Sequence, residues 1–598
     1  MKLTQRVLGA ALLLCIAVVP FLGLGLWGVN DADRPITWWT THALEKVRPL
    51  DSIPGTRTHS IELWAARNEF EPFQIVLHSK RRNLTGVDIE VTDLVGPQGI
   101  IPAKDNITIY FETSVSLKAP SSIEGAAGDW PDPLIPRIDR YTGEKRNAFP
   151  MRLAAGRNQP VWVDVYVPLS TPAGRYTGSV LITLEGAAYA AIPITLHVWN
   201  FALPSTSSLK SSFGFNGMGA VKQHFGRYTN DRDLRGLVKM YQKSALLHRI
   251  SIHGGSMIAP RIASDSASID WHSHDSEVGP FLDGAILTGK DPLPGAKATT
   301  AELRLPPELT EEQNQPYYRQ WIQHFREKGW LHRLFYYLRD EPRIETYRNV
   351  AEKGSAAHRT DPAVRNLVTV TLNRELEGAV DIWVPLINCL EMKPGFPPYC
   401  KQSAPREAYG RELASGKDLW WYQSCASHGC NIIGGEYFRG WPSYMIDAPP
   451  VANRIFQWLA WKYGIEGELY FSMNEAFGRL ADPWNNVSMF GGNGDGTLFY
   501  PGRPVRIGGA SDIPIESIRM KLIREGLEDY EYLYLCSQLG LAELAESSSK
   551  RIASHIHQWD HSPETLYALR RKMGDALSEK YTSGVAVKAN KKTIPPTR

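Results

Sequence analysis

The residues best suited to chemistry are two adjacent acids, Asp340 and Glu341, which end the apolar run of LFYYLRDEPRIE (334–345) and precede Pro342. Two carboxylates side by side repel each other, so their surroundings must be shaped to hold them. Glycoside hydrolysis by two facing acids needs them about 5–5.5 Å apart for retention of configuration and about 6.5–9.5 Å apart for inversion, and such pairs come from separate strands. Neighbours at one strand end point in different directions. That suits another division of work, in which one acid protonates a leaving group and the other orients a substrate group that itself attacks the reacting carbon. The competing reading is an ordinary helix start, because acids favour a helix N-terminus and proline is welcome in the first turn.

The choice between these readings depends on the element that carries the pair. After residue 205 the chain alternates strand-like and helical stretches. Eight strand candidates occur, at 211–216, 249–254, 301–306, 334–341, 366–373, 380–385, 417–424 and 467–474. Helical spacing appears between them, as in 234–248 and 451–464, and again in 516–539, 541–557 and 563–580. Eight strands alternating with helices is the count of a (β/α)8 TIM-type barrel, whose active sites lie at the C-terminal strand ends. Asp340 and Glu341 end the fourth strand. Before residue 205 the pattern is all-β, with strands expected at 70–79, 87–94, 107–117, 161–168, 176–186 and 190–201. In VWVDVYVP (161–168) valine alternates with Trp, Asp and Tyr, as in a strand with one buried face. The fold class is therefore α/β plus all-β: a β-sandwich over 35–205, a barrel over 206–545, and C-terminal helices with a basic tail over 546–598.

Residues 1–34 read as a targeting segment. Lys2 and Arg6 precede an apolar run, 7–29, that is longer than an ordinary signal-peptide core and just long enough to span a bilayer. It is either a signal peptide or a single membrane anchor, and the leading positive charges place the body outside the cytoplasm. Disulfides are permitted there, and Cys389–Cys400 and Cys425–Cys430 are the local pairings. CASHGC (425–430) lacks the second cysteine pair of a zinc finger. Cys536, within a helical pattern, reads as a buried thiol. With 66 basic and 63 acidic residues, the chain has no charge excess that would favour nucleic acid. GLGLWG (23–28) has dinucleotide-loop spacing but lies in the targeting segment, and DWHSHD (270–275) reads as a solvated loop. No G-x-S-x-G elbow occurs. No cofactor or metal is called for, and nothing specifies an oligomeric state.

YYLRDEP (336–342), GELYFSMN (467–474), DPW (482–484), GNGDGTLFYPG (492–502) and ESIRMKLIREGLEDYEYLYL (516–535) together resemble glycoside hydrolase family 123 and its wider relatives. ARNEFEPFQIVL (66–77) and TPAGRYTGSV (171–180) extend the resemblance to the all-β part. It implies a retaining β-N-acetylgalactosaminidase-like hydrolase using substrate assistance. Glu341 would be the general acid/base and Asp340 the residue that positions the substrate acetamide. An oligosaccharide or polysaccharide is the implied partner. Sugar-pocket candidates at the same barrel face are Asn216, Tyr337, Asn373, Trp383, Trp421, Tyr422, Tyr470, Asn474 and Trp484, since a pyranose needs a ring platform and a few amide or phenol groups. Asp495 of GNGDG either contacts ligand or holds a glycine turn. The other functional class is a non-hydrolytic carbohydrate-binding or polysaccharide-assembly protein on the same barrel.

Overall fold

The computed structural model describes residues 34–583, apart from 228–230, 255–260, 263–267, 306–310, 396 and 431–434. Residues 1–33 of the expected targeting segment and 584–598 of the expected basic tail lie outside the described residues. Among the described residues no helix is long and apolar enough to cross a membrane.

The N-terminal strands form two seven-stranded sheets. In the first, Ile36–His42, Glu69–Ser79, Asn158–Val167, Ile107–Leu117 and Gly128–Pro136 pair antiparallel in that order. The second is built around Gly174–Leu184 and Ala187–Ala202, with Ile61–Arg67 added in parallel along the latter. Side chains of both sheets share one apolar cluster, including Phe73, Ile75, Val163 and Val165 from the first and Leu63, Ile89, Val180 and Leu196 from the second. The six strands expected from the sequence are all present. Two strands from far along the chain, Ile513–Ser517 and Phe499–Gly502, extend the first sheet beyond Gly128–Pro136.

The strand Asn158–Val167 departs from the sequence expectation, because it is buried on both faces. Its valines face the cluster shared by the sheets. Trp162, Asp164 and Tyr166 face the other way, where the helix Ile518–Gln538 covers Asp164 and turns a polar position into a buried one.

Eight parallel strands form the barrel: Lys210–Gly214, Ile252–His253, Ala301–Glu302, Leu334–Arg339, Asn366–Val368, Ile382–Trp383, Asp418–Tyr422 and Gly467–Tyr470. Seven fall within the expected runs, and the first begins one residue before its run, at Lys210. Each pairs with its neighbour except at one seam, between the second and third strands. There Gly254 N donates to Glu302 Oε2 (3.1 Å) and bridges the gap. The interior is filled by Phe335, Leu367, Ile382, Val384, Trp420, Tyr422 and Leu469. The alternate residues Tyr336, Val368, Trp383, Trp421 and Tyr470 face the surrounding helices. Both disulfides are formed, Cys389–Cys400 after the sixth strand and Cys425–Cys430 after the seventh, while Cys536 is a buried thiol.

Ile518–Gln538 joins the two halves through charge. Ser517 caps it, accepting from Met520 N. Arg524 makes two 3.0 Å bonds to Asp164, across a separation of 360 residues, and Lys521 adds a third contact to the same carboxylate. Burial opposes the charge, but Arg524 and Lys521 together hold Asp164 well below the usual carboxylate range. Arg519 binds both oxygens of Asp132 at 2.8–2.9 Å. Arg454 forks onto Asp529 with two 2.7 Å bonds, and Arg570 of the last helix, Pro563–Thr582, reaches Glu69, Glu71 and Asp529. The Arg519 and Asp132 side chains have no exposed surface. Removing one member of such a pair leaves the other charge buried and alone, at about 3–5 kcal/mol. Arg519→Met should therefore lower the unfolding free energy by about that amount, seen as a large fall in the urea midpoint. A shift no larger than that of an exposed-arginine control such as Arg348→Met would overturn the structural role given to the pair.

Candidate functional site

The fourth barrel strand ends at Arg339, two residues earlier than expected, and leaves Asp340 and Glu341 exposed on the turn at its C-terminal end. Glu341 takes a positive φ of 36°, a conformation that costs a residue with a Cβ roughly 1–3 kcal/mol. Two contacts hold it there. Glu341 N donates to Thr369 Oγ1 (2.7 Å), just past the fifth strand, and Tyr422 OH on the seventh strand donates to Glu341 Oε1 (2.6 Å). Thr369 Oγ1 in turn donates to Asp340 Oδ1 (2.9 Å), and Tyr337 OH donates to the same oxygen (2.8 Å). One threonine hydroxyl thus accepts from the backbone of one acid and donates to the side chain of the other. Burial, then the nearby acids, push the Tyr422 and Tyr337 phenols well above their usual range, so both stay hydrogen-bond donors. Each carboxylate keeps its second oxygen, Asp340 Oδ2 and Glu341 Oε2, without a hydrogen bond from the described residues.

His253, at the end of the second strand, lies in the lumen beside these groups. Its Nδ1 is 3.0 Å from Ser212 Oγ, its ring meets Tyr337 edge-on at 6.2 Å, and burial lowers its pKa, leaving a neutral imidazole. At the mouth, Phe490 sits on the tip between Ser488–Met489 and Gly492–Asn493, half exposed and at a φ of 52°. Its ring packs edge-on against Phe471, just beyond the eighth strand.

Of the nine sugar-pocket candidates, Tyr337 and Tyr422 touch the acids. The others are engaged elsewhere. Asn216 is exposed and caps the helix Gly217–Phe225, accepting from Gly219 N (2.8 Å). Asn474 is fully buried and clamps the Asn216 backbone through both amide atoms, tying the ends of the first and eighth strands together. Asn373 accepts from Glu375 N in a turn. Trp383, Trp421 and Tyr470 lie on the helix-facing side of their strands. Trp484 is buried against Tyr500, its indole donating to Pro501 O. Thr369, His253 and Phe490 were not anticipated. Thr369 is an unremarkable β-former in NLVTVTLN, and its one signal is that it shares the inward parity of Leu367.

DWHSHD is not the solvated loop expected: it forms the helix His272–Glu277, with His274 buried against Trp271 and Trp321. A cleft of about 460 Å3 on the N-terminal sheets, lined by His42, Trp64, Glu71 and Arg571 among others, offers no open ring. Arg571 covers one face of Trp64 at 3.2 Å, and His197 stacks on that ring as well.

The catalytic-domain model of glycoside hydrolase 123 matches residues 300–536, and the glycoside hydrolase 123 N-terminal domain model matches residues 45–184. No curated protein sequence matches the chain. Among solved structures, a family 123 glycoside hydrolase from Clostridium perfringens, described in connection with glycolipid glycan hydrolysis, is 14% identical with a TM-score of 0.63. The match covers 92% of this chain and 98% of that one. At this identity the likeness shows the fold alone. A GH5 xyloglucanase from Bacteroides ovatus (10% identity, 79% and 98% covered) and a family 39 glycoside hydrolase from Bacteroides cellulosilyticus (11%, 74% and 81%) each give a TM-score of 0.26 and carry no argument.

Asp495 is fully enclosed in the GNGDG turn, its Oδ1 accepting from Tyr470 OH (3.3 Å), and burial pushes its carboxyl up to about 7. The folded chain then holds this proton where the unfolded chain, with a pKa near 3.9, has lost it. Stability therefore falls as pH rises from about 4 to 7. Asp495→Asn should flatten that fall, so urea midpoints of wild type and variant should converge, then cross, between pH 4.5 and 8. Parallel profiles would contradict the assignment.

Proposed function

The chain belongs to glycoside hydrolase family 123, and on that premise we propose that it is an exported enzyme cleaving β-linked N-acetylhexosaminides, N-acetylgalactosaminides first among them, with retention of configuration and substrate assistance. The observation that carries the reading is the separate anchoring of Asp340 and Glu341 at one strand end. The acetamide N–H of the substrate donates to Asp340 Oδ2. Its carbonyl oxygen attacks the anomeric carbon as the glycosidic bond breaks, while Glu341 gives its proton to the departing oxygen. A bicyclic oxazolinium forms. Glu341, now a carboxylate, removes a proton from water as that water opens the ring, and two inversions give retention.

Tyr422 fixes the Glu341 carboxyl, and Thr369 with Tyr337 fixes Asp340, so neither has to be ordered during the reaction. Phe490 carries Arg479 over its ring at 5.2 Å, and its half-exposed edge with Phe471 suits the group beyond the scissile bond. Met218, Ile344 and Met392 are exposed in the segments that follow the first, fourth and sixth strands, Met218 in the helix Gly217–Phe225, and these apolar side chains support glycolipid glycans as a substrate class. Export is supported by the sequence of residues 1–34 and by the two disulfides. The apolar cluster shared by the N-terminal sheets supports reading them as a sandwich.

The test is hydrolysis of chromogenic β-GalNAc and β-GlcNAc glycosides, free oligosaccharides and glycolipids. Glu341→Gln should lose about 10²–10⁴ in kcat on poor leaving groups and less on activated aryl glycosides. Asp340→Asn should lose activity on N-acetylated sugars. Thr369→Val, which unties both acids, should lower kcat with little change in KM. Wild-type rates in Glu341→Gln would sink the mechanism, and binding without turnover across the panel would favour the carbohydrate-binding alternative.

A further inference from the structure

Away from the acid pair, Glu391 lies in the loop after the sixth barrel strand, two residues beyond Cys389. His555 and His557 flank Ile556 at the turn between the short strands Ala553–His555 and Gln558–Trp559. One ligand atom from each of Glu391, His555 and His557 lies within 4.8 Å of the other two. The carboxylate is already oriented, since its Oε2 accepts from Ile556 N (2.7 Å) and from Tyr463 OH (2.8 Å), while Oε1 is 2.6 Å from His555 Nδ1. The two imidazoles lie parallel, 4° apart in plane with centroids 5.4 Å apart, and Trp441 packs against His557.

The cations nearby are committed to carbonyls. Lys393 Nζ donates to the backbone oxygens of Glu436, Tyr437 and Arg439, and Lys462 Nζ to those of Ala553 and Ser554. Among the described residues a second grouping of this type, His274, Asp275 and His324, differs on this point, because Lys328 Nζ sits 2.7 Å from Asp275 and supplies the positive charge itself.

We propose that Glu391, His555 and His557 form a binding site for a divalent transition-metal ion of the zinc class. Two imidazoles and one carboxylate are borderline donors suited to Zn2+, whereas Mg2+ and Ca2+ prefer oxygen alone. Metal–ligand bonds of about 2.0–2.2 Å need only a small closing of the present spacing, with the His555–Glu391 hydrogen bond giving way to the ion. Tyr463 and Ile556 N hold the carboxylate from outside, as second partners of metal ligands do. Three protein ligands leave a position for water. The bound ion would fasten the His555–His557 turn to the loop after the sixth strand. The same hairpin already reaches the loop after the seventh strand through Trp559 Nε1 and Gly440 O (2.7 Å). The sequence could not show the set, because Glu391 lies 164 residues from His555.

The experiment is titration of EDTA-treated, disulfide-intact full-length protein with ZnCl2, followed by calorimetry and melting, with MgCl2 and CaCl2 as controls. One zinc equivalent should bind and raise the melting temperature, with no response to Mg2+ or Ca2+. His555→Ala/His557→Ala should lose that equivalent, and Tyr463→Phe should bind about tenfold or more weakly. Should the double variant fold poorly, CoCl2 added to the wild-type protein gives an independent reading, with visible d–d bands of a four-coordinate nitrogen and oxygen site displaced by one equivalent of zinc. No binding by the wild-type protein, equal stoichiometry in the folded double variant, or cobalt spectra of the hydrated ion would each overturn the assignment.

Discussion

The buried charge along Ile518–Gln538 is the constraint on which the rest of the structure depends. A helix with Arg519, Lys521, Arg524, Glu525, Glu528 and Asp529 all buried cannot be stabilised by burial of apolar surface alone, since each unpaired charge would cost several kcal/mol. Its partners come from both halves. Asp132 and Asp164 belong to the first sheet, and Arg454 belongs to the barrel. Burial and the neighbouring Glu525 push Glu528 well above the usual carboxylate range, with Arg249 acting against them. Neither half can present these partners without the other. The segment just before the helix reinforces the union, because Ile513–Ser517 pairs with the first sheet through Glu516 and Leu134 before the chain turns into the helix.

The same network reaches toward the site. Arg519 binds Asp132 on one side and donates to the carbonyls of Tyr444 and Gly494 on the other. Gly494 is required there: a Cβ would meet the guanidinium at 2.8 Å, and its φ is 84°. The next residue, Asp495, meets Tyr470 on the eighth strand. A continuous path of buried polar contacts thus runs from the first sheet to the turn beside the barrel mouth.

The barrel was legible in the sequence because its signal is the rhythm of eight apolar runs, which short-range spacing preserves. Inward and outward positions were less legible. In KDLWWYQS the two faces of the strand are both buried, so Trp421 and Tyr422 look equally fit for a pocket. Only pairing with the neighbouring strands shows that Trp420 and Tyr422 share the lumen while Trp421 packs on helices. The charged motif IREGLEDYEYL was legible as a helix, but nothing in its spacing marks its charges as buried. Their burial depends on partners hundreds of positions away, which no local pattern encodes. Thr369 was missed for the same reason. Its role exists only once the fifth strand lies beside the fourth.

The positive φ of Glu341 shows what this rigidity does for the site. An isolated strand end would relax Glu341 into an ordinary conformation, because a side chain beyond glycine disfavours this region. The strain persists because Thr369, just past the fifth strand, and Tyr422, on the seventh, each hold a different part of the residue. Relaxed, Glu341 would continue the strand direction and place its carboxylate one step from Asp340 with nothing to separate their tasks. Twisted, the two carboxylates take different partners: that of Asp340 is held by Tyr337 and Thr369, from its own strand and the next, and that of Glu341 by Tyr422 from across the lumen. On the proposed reading, the division of work that facing-acid hydrolases obtain from two distant strands is obtained here from one strained peptide, and the barrel that enforces it is joined to the first sheet by the buried charges of Ile518–Gln538.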